Sequence, residues 1–518
     1  MAVDLDDIQG IVRHAYARLT EACFYVLRIA DAQAARRWLS SAPVTSAALA
    51  AKSVQEVLQV ALTSDGLRAL GVPQQMIEQF SSEFIGGMSA DANRSRRLGD
   101  VGPNAPEHWK WGGTAAPHMV VLLYAAPGRL AEWTQAVTGP EWATAFSVEA
   151  VLPTADMKGV EPFGFADGIS QPQLDWQLGL PSHDHTQPEY SNLIELGEFL
   201  LGYTNEYGRF TERPLVDPAD DPHDLLAPAA DAPGKRDLGR NGSYLVLRQL
   251  RQDVQGFWRF HDARANGDPA ARKAMAEAMV GRTMAGVSLV SLVSRVEGAP
   301  ASSPDPGTKA GREQLNAFTY AGDPDGLRCP FGAHVRRANP RNGDLPDASG
   351  DGGKVSVLAR LLTTLGFDAA ALRGDLVASS RFHRMLRRGR EYGQSLPPEA
   401  AIADQGETVE TGLHFICLGA NISRQFEFIQ GAWITGAKFN GLAAERDPLI
   451  GERQPLSDGS ETDRFSLPQA AGAACQITGL PQFVSVVGGA YFFMPGLRAL
   501  RFLVTLNHSN TSSPVGST

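Results

Sequence analysis

The chain has 518 residues, of which 43% are hydrophobic and 20% are charged. With 53 glycines and 33 prolines, this is the composition of a globular protein with many connecting loops, and it excludes a disordered or fibrous chain. The 57 acidic residues outnumber the 47 Lys and Arg residues, and the formal charge of -10 argues against a protein that grips a phosphate backbone. The length allows two domains or one elaborated α+β unit.

The cysteines, the N-terminus and the longest apolar run bear on location. The four cysteines are far apart and form no C-x-x-C pair, which fits a reducing compartment and predicts no zinc knuckle. The first residues are acidic where a secretion signal is basic and then apolar. The most apolar run, residues 119–126, is far shorter than the roughly 20 residues of a membrane helix. We therefore expect a soluble, cytoplasmic protein that binds neither membrane nor nucleic acid.

One arrangement occurs four times along the chain: a short apolar strand, a turn, and an amphipathic helix that carries a large aromatic residue. The four strand and helix pairs are, in chain order, 23–29 with a helix capped near Asp31, 119–124 with a helix holding Trp133, 243–247 with 254–258, and 413–417 with 426–430. Two pairs lie in the N-terminal third and two lie after residue 242, so the pattern predicts two similar domains.

Two strand-helix pairs with extra strands are what a split βαβ, ferredoxin-like domain requires, since each sheet needs helices to cover one face. We therefore expect an α+β protein of two tandem ferredoxin-like domains, with antiparallel sheets covered by helices. A stretch rich in Asp, Pro and Ala separates them. The predicted limits are 1–186 for the N-terminal domain, 187–241 for a linker or long surface loop, 242–506 for the C-terminal domain and 507–518 for a flexible tail.

Residues 161–172 crowd glycines around Asp167, and glycines of this kind let a backbone approach a ligand closely. If this segment forms part of an active site, Asp167 would act as a general base. The same residues also fit an ordinary Asp-Gly turn, which is the commoner use of that dipeptide. By itself the motif leaves both readings open.

A second segment, residues 328–341, sets His334 among small and apolar residues and follows it with several arginines. A neutral imidazole here would suit haem iron, and the arginines would suit the haem propionates. The alternative is a buried histidine bonded to a backbone carbonyl, beside a solvated basic loop.

A third segment, residues 381–393, is dense in arginine and includes Arg387. If this segment forms part of an active site, one of its arginines would stabilise negative charge that develops on bound oxygen atoms. A solvated basic surface is the alternative.

Other candidate motifs are weaker. Residues 350–354 depart from the phosphate-binding loop at two positions, at Ala348 and Val355. His183 and His185 have no third metal ligand indicated near them. Neither Gly-x-Ser-x-Gly nor His-Glu-x-x-His occurs, so the common hydrolase routes are unsupported.

Taken in order, the three segments resemble those of the dye-decolourising peroxidase family. They correspond to its Gly-x-x-Asp-Gly signature at 164–168, its proximal-histidine segment at 329–334 and its distal-arginine segment at 385–393. Three further segments resemble the family's opening strand, central strand with helix, and closing segment, namely 5–10, 242–253 and 488–495. The likeness covers nearly the whole chain and implies a tandem ferredoxin-like fold with haem in the C-terminal domain. Among its members, the chain resembles the long, cytoplasmic bacterial ones.

The resemblance implies a role for each candidate residue. His334 would be the axial ligand of the iron of haem b, with one haem per chain. Asp167 would be the distal acid/base and Arg387 the distal cation. Gly168 and Ile169 would lie against the porphyrin.

Two further assignments depend on position within the segments. Arg388 competes with Arg387, but Arg387 stands six residues before Gly393, which is the family's register. A haem-ligating histidine usually donates its other N–H to a carboxylate, and Glu427 is a weak candidate for that acid.

The resemblance implies a haem peroxidase that uses hydrogen peroxide to oxidise dyes, phenolics or other small-molecule electron donors, as a monomer or a homo-oligomer. One alternative is a haem-binding or iron-releasing protein of the same fold without turnover, although such a protein needs neither Asp167 nor Arg387. Another is a chlorite-decomposing haem enzyme of the related superfamily, which the Gly-x-x-Asp-Gly loop disfavours.

Overall fold

The computed structural model describes residues 2–89, 91–180, 192–293, 304–341, 380–403, 406 and 409–506. Three segments discussed from the sequence lie outside these ranges, namely 183–185, 350–354 and the tail 507–518. The first residues of the predicted linker, 187–191, lie outside them as well.

Within the described residues, nine strands form one main sheet in which every neighbouring pair is antiparallel. These strands are β1 (Glu21–Ile29), β2 (Glu56–Leu62), β3 (Met119–Ala125), β4 (Phe146–Pro153), β5 (Ser243–Gln252), β6 (Leu386–Arg387), β7 (Arg390–Tyr392), β8 (Gly412–Gly419) and β9 (Val484–Met494). Short strands outside this sheet are Gln173–Leu174, Leu193–Ile194, Leu215–Val216, Ala227–Pro228, Arg236–Asp237, Phe465–Leu467 and Cys475–Ile477.

Helices lie in the connections between the strands and after the last one. The α-helices of the described ranges are α1 (Ala32–Ser41), α2 (Ser64–Ala69), α3 (Gln74–Ile77), α4 (Ser82–Gly86), α5 (Ala92–Leu98), α6 (Leu130–Val137), α7 (Trp142–Ala145), α8 (Val254–Arg264), α9 (Pro269–Val280), α10 (Lys309–Asn316), α11 (His334–Ala338), α12 (Pro398–Ala403) and α13 (Leu497–Thr505). Single 3₁₀ turns and two π-helical turns, Ser423–Glu427 and Ile429–Ile434, complete the helical structure.

The N-terminal half has the order strand, helix, strand, strand, helix, strand that the split βαβ unit requires. Its strands lie side by side in the order β2-β3-β1-β4. The predicted cap at Asp31 is confirmed, since its Oδ1 accepts the N–H of Ala34 at 2.7 Å and α1 begins at the next residue.

The C-terminal half repeats the same arrangement. β8 lies between the short strands β6 and β7 on one side and β5 on the other, and β9 lies on the far side of β5. The two halves join where β9 pairs with β2, at Phe493 opposite Leu62. After β8, where the sequence predicts a helix at 426–430, the chain forms π-helical turns instead.

Both faces of the sheet are covered, which explains why every residue of β3 is buried. One face of β3 packs in a core with α1 and includes Val121 beside Trp38. The other face packs in a second core that both halves share, where Leu122 lies with Leu247 and Ile416. This shared core fixes the two halves against each other, because close-packed side chains leave little freedom for either half to move.

The prediction of an α+β fold with antiparallel sheets covered by helices is confirmed. The domain limits stay a prediction. In the described part of the expected linker, Leu196, Phe199 and Leu200 are buried in the core shared by the two halves. A small three-stranded antiparallel sheet follows them before β5 begins.

Several ion pairs are buried among the described residues. Arg248 of β5 and Asp100 form an ion pair in which both side chains are almost fully buried. The guanidinium carbon of Arg248 also lies 5.7 Å from the ring centre of Trp109 and 5.9 Å from that of Phe426. Removing one partner would leave the other charge buried and unpaired.

We predict that Asp100→Ala lowers the free energy of unfolding by about 3–5 kcal/mol, because it leaves the charge of Arg248 buried without a partner. The exposed pair of Arg37 and Glu141, 3.0 Å apart, is the control. Glu141→Ala should cost under about 1 kcal/mol, as surface pairs do. Chemical denaturation of the wild type and the two variants measures the free energies of unfolding. Equal losses in Asp100→Ala and Glu141→Ala would contradict the prediction.

A second group of charges is unevenly paired. Glu198 accepts a hydrogen bond from Nη1 of Arg424 at 2.7 Å, and Glu206 pairs with Nε of Arg381 at 3.0 Å. Glu195 is buried beside them, and its Oε1 has no hydrogen-bond partner among the described residues. Glu195 therefore carries the least compensated carboxylate of this group.

Burial, with the nearby carboxylates of Glu206 and Asp175, raises the pKa of Glu195 from 4.5 to about 7. The stability that neutral Glu195 contributes is therefore fully present below pH 4.5 and is lost as the pH rises through 7. We predict that Glu195→Gln, which stays neutral, melts about 2 °C higher than wild type at pH 8 and shows no such gain at pH 4. Scanning calorimetry at both pH values tests this, with Glu141→Gln as the exposed control; a gain independent of pH would contradict it.

Candidate active site

The loop that carries Asp167 is a tight hairpin extending from the N-terminal half. Val160 and Ala166 pair across it, and the N–H of Asp167 donates to the carbonyl of Gly159 at 3.0 Å. Gly164, at the tip, has φ +99°, and a Cβ there would lie 2.9 Å from Cε of Met284. Glycine is therefore favoured at this position by the backbone conformation, and a side chain there would also have to displace the end of Met284.

The two residues after Asp167 differ in their surroundings. Gly168 has φ +72°, and nothing lies within 4 Å of the position that a Cβ would take. Ile169 is buried and packs with Val287 and Leu315 while lining the cavity described below. Contact of either residue with a porphyrin stays a prediction.

Arg387 lies opposite this loop, on the short strand β6. Its Nη1 is 3.9 Å from Oδ1 of Asp167, and each of these side chains is 36% exposed. Its Nη2 donates to the carbonyl of Ser170 at 2.9 Å, and its N–H donates to Oε1 of Gln171 at 3.0 Å. Arg387 is thus held against the same loop that carries Asp167.

The competing Arg388 points to another part of the protein. Its Nε donates to the carbonyl of Ile11 at 2.7 Å, and its Nη2 donates to that of Val12 at 3.1 Å. Successive residues of a strand point to opposite sides, so only one of the two arginines reaches the loop.

His334 is the first residue of α11, and its ring is oriented by a buried carboxylate. Its Nδ1 lies 2.9 Å from Oδ2 of Asp447, which is fully buried. Oδ1 of Asp447 accepts the N–H groups of Leu449 and Ile450, so the carboxylate itself is fixed. This arrangement leaves Nε2 of His334 to face the cavity that the residue lines.

The pair also determines the charge of both groups. Burial lowers the pKa of His334, but the facing Asp447 more than offsets this, and the net pKa lies above the ordinary value. Burial raises the pKa of Asp447, but His334 and the N–H of Ile450 outweigh it and bring the pKa below the usual value. The acid is therefore a carboxylate that accepts from the imidazole N–H, which makes Nε2 a stronger ligand.

The sequence did not identify Asp447. Glu427, the weak candidate, is wrong: its Oε1 pairs with Nε of Arg94 at 2.9 Å and accepts from the hydroxyl of Tyr491 at 3.0 Å. Asp447 stands 113 residues after His334. No spacing rule connects two positions so far apart, so only the folded chain could show the contact.

Asp167, Arg387 and His334 line one cavity of about 1490 Å³, counted out to open solvent. Apolar side chains from the sheet and from the turns after β8 make up much of its wall, namely Leu250, Leu413, Phe415, Ile429, Ile450 and Val484. Polar side chains from the connections make up another part, namely Arg282, Asn339, Ser380 and Arg384. Such a cavity suits a large, flat molecule with both apolar and anionic edges.

Arg282 gives a specific reason to expect an anion there. Its Nη1 donates to the carbonyls of Gly286 at 2.7 Å and Leu315 at 3.0 Å. Its Nη2 has no partner among the described residues, although Arg282 is only 4% exposed. A buried cation with a free donor is costly unless a ligand pairs with it.

The arginines that follow His334 do not provide this anion site. Arg336 donates to Asp323, at 3.1 Å between Nη1 and Oδ2, and lies between the rings of Tyr320 and Phe331. Arg337 donates to three backbone carbonyls between residues 433 and 445. Arg336 and Arg337 are thus engaged with other groups, and the pairing of this segment's arginines with propionates stays a prediction. Among the described residues, Arg282 lines the cavity and has a buried donor without a partner.

The residues present fit a haem. The apolar wall would accommodate the ring, His334 offers a neutral imidazole nitrogen to its iron, and Arg282 offers a donor to a propionate. No group of three or more His, Cys, Asp or Glu residues in the described part of the chain is arranged to hold a bare metal ion. Nor is any helix there long and apolar enough to span a bilayer.

No protein-family model matches the chain. Among curated proteins it is similar to the dye-decolorizing peroxidase AauDyP1 of Auricularia auricula-judae, at 26% identity over 96% of this chain and 86% of that one. It is also similar to the dye-decolorizing peroxidase msp1 of Mycetinis scorodonius, at 27% identity over 97% and 88%.

Solved structures show the same fold. A crystal structure of a fungal DyP-type peroxidase from Auricularia auricula-judae superposes with a TM-score of 0.71, at 24% identity, over 98% of this chain and all of that one. A dye-decolorizing peroxidase in complex with 2,6-dimethoxyphenol superposes with a TM-score of 0.68, at 22% identity, over 97% of this chain and 99% of that one. The tandem ferredoxin-like architecture predicted from the sequence is confirmed.

The fold, the cavity and the curated relatives together define a haem-dependent peroxidase. These relatives and structural neighbours are dye-decolourising peroxidases, the family that the three segments of this chain resemble in order.

We predict that His334 and Arg282 affect haem binding in different ways. His334→Ala removes the nitrogen offered to the iron and should change the absorption spectrum and lose haem. Arg282→Met should keep the spectrum but release haem about ten- to a hundredfold more readily, because a charged hydrogen bond is lost. Transfer of haem to excess apomyoglobin measures the release.

Arg96→Met, at an exposed arginine, is the control and should release haem like wild type. Haem release unchanged in Arg282→Met would remove Arg282 from haem binding. A wild-type spectrum with full haem content in His334→Ala would exclude that histidine as the ligand.

Proposed function

We propose that this protein uses hydrogen peroxide to oxidise dyes, phenolics and other small one-electron donors, with one haem b bound per chain at His334. The observation that carries the proposal is the convergence on one cavity of a carboxylate, a guanidinium and a carboxylate-bound imidazole. The 2,6-dimethoxyphenol bound to a structural neighbour supports phenolic donors. We further propose that it acts in the cytoplasm, as a monomer or a homo-oligomer.

In this proposal, Asp167 moves a proton. Hydrogen peroxide must lose the proton of one oxygen and gain a proton on the other before the O–O bond breaks to release water. A carboxylate in the cavity wall can accept the first proton and deliver it to the second oxygen, so that the group ends as it began. The tight hairpin holds Asp167 in one place for both transfers.

Arg387 supplies a fixed positive charge. Negative charge develops on the departing oxygen as the bond breaks, and a guanidinium already in place stabilises it without reorganisation. Its hydrogen bonds to Ser170 and Gln171 hold it in position. When bound, the haem supplies the redox chemistry, being oxidised by peroxide and reduced again by two one-electron donors.

On the other side of the cavity, Asp447 acts through His334. A carboxylate that accepts the Nδ1 proton makes Nε2 more electron-rich, and this favours the oxidised states of a metal that Nε2 binds. Because Asp447 is fully buried, water does not compete for this hydrogen bond. The rival reading, a haem carrier without turnover, gives no role to Asp167 or Arg387.

We predict that Asp167→Asn and Arg387→Leu each slow the reaction of the haem-loaded protein with peroxide by about 10² to 10⁴-fold, the range for a lost acid/base group. Haem content should be unchanged, since neither residue is proposed as an iron ligand. Stopped-flow absorbance at several peroxide concentrations measures the rate. Asp156→Asn, an equal charge change at an exposed site, should react like wild type. Wild-type rates in both distal variants would favour the haem-carrier reading.

A further inference from the structure

Glu161 lies at the base of the hairpin that carries Asp167, and its carboxylate points into the turn. Its Oε1 accepts the N–H of Phe165 at 2.9 Å, and its Oε2 accepts that of Phe163 at 3.0 Å. A side chain that accepts two backbone N–H groups of its own loop determines the path of that loop. Glu161 also lines the cavity.

The same carboxylate connects the two halves of the protein. Its Oε2 accepts a third hydrogen bond, from Nε2 of Gln252 at 2.8 Å. Gln252 is the last residue of β5, in the C-terminal half, whereas the hairpin belongs to the N-terminal half. Nearby, Phe163 stacks on Phe257 of α8, with ring centres 4.4 Å apart. The hairpin is therefore attached to the half that holds His334 and Arg387.

These contacts bear on where Asp167 stands. The distance of 3.9 Å between Asp167 and Arg387 joins a residue of the hairpin to a residue of the C-terminal half. Only a hairpin held at a fixed position on that half keeps this distance constant. Three of the hydrogen bonds that hold the hairpin go to Glu161, from Phe163, Phe165 and Gln252. Arg387 itself makes another, to the carbonyl of Ser170.

We propose that Glu161 is a positioning residue for Asp167: it fills the turn with its carboxylate, ties the turn to Gln252, and so sets the place of Asp167 opposite Arg387. The inference rests on the proposed function, because it assigns Asp167 a part in the peroxide reaction. Glu161 itself touches no reacting atom in this account.

Glu161→Gln is the direct test. A glutamine has one acceptor oxygen, so whichever way its amide is turned, its NH2 group would face the backbone N–H of Phe163 or that of Phe165, donor against donor. We expect the haem-loaded variant to keep its spectrum but to react with peroxide about ten- to a hundredfold more slowly, as misplaced groups do. Glu132→Gln, at an exposed glutamate of α6, should react like wild type.

A double-mutant cycle separates positioning from a general structural effect. If Glu161 acts through Asp167, adding Glu161→Gln to Asp167→Asn should slow the reaction by no more than about twofold further. A full additional loss in that background would show that Glu161 acts independently and would overturn the proposal. The pH profile of the reaction should also shift in Glu161→Gln, and a change in thermal stability alone would not move it.

A second variant covers the case in which Glu161→Gln does not fold. Gln252→Met removes the tie to β5 and leaves the two backbone bonds of Glu161 in place. It should slow the peroxide reaction in the same direction, and the effect should again vanish beside Asp167→Asn. A wild-type rate in Gln252→Met would then overturn the proposal.

The outcomes separate this inference from the proposed function. If the wild-type protein with haem does not react with peroxide, both fail. If the wild type reacts and Asp167→Asn slows it, but Glu161→Gln does not, the function stands and the positioning role is wrong.

Discussion

The packing of the two half-sheets against one shared core is the constraint on which the site depends. Each half is an antiparallel sheet that must bury both faces, and residues of both halves pack together in the two cores that cover these faces. The two halves are therefore held in one relative position. That position places the hairpin of the N-terminal half over a cavity built mainly by the C-terminal half, which neither half could form alone.

Charges inside the protein differ in how they are paired. Arg248 and Asp100 form a buried ion pair with each other. At the cavity, Arg282 keeps an unused donor, and Asp167 and Arg387 are close without forming a tight pair. Burial makes an unpaired charge expensive, so charges left open toward a cavity indicate where a ligand contributes to stability.

The cavity also has two differently organised sides. On one side, His334 and Asp447 form a short contact in which both partners are fixed. On the other, Asp167 and Arg387 stand on separate elements and are brought together by the bonds that hold the hairpin. Because all three residues line one cavity, a ligand bound there would have a nitrogen donor, an acid and a cation near it. In the proposed function these are the groups that assist heterolytic cleavage of peroxide.

The sequence alone predicted the fold class, and its resemblance to a known family singled out three residues that line the cavity. Repeated strand-helix patterns reveal an antiparallel sheet because hydrophobic periodicity is local, and Asp167, His334 and Arg387 stand in short motifs that a single segment displays. The tertiary structure decided what depends on distant partners: Asp447 in place of Glu427, the unused donor of Arg282, and the tie between Glu161 and Gln252. Such contacts join residues far apart in the chain, and close packing selects them only once the two halves meet.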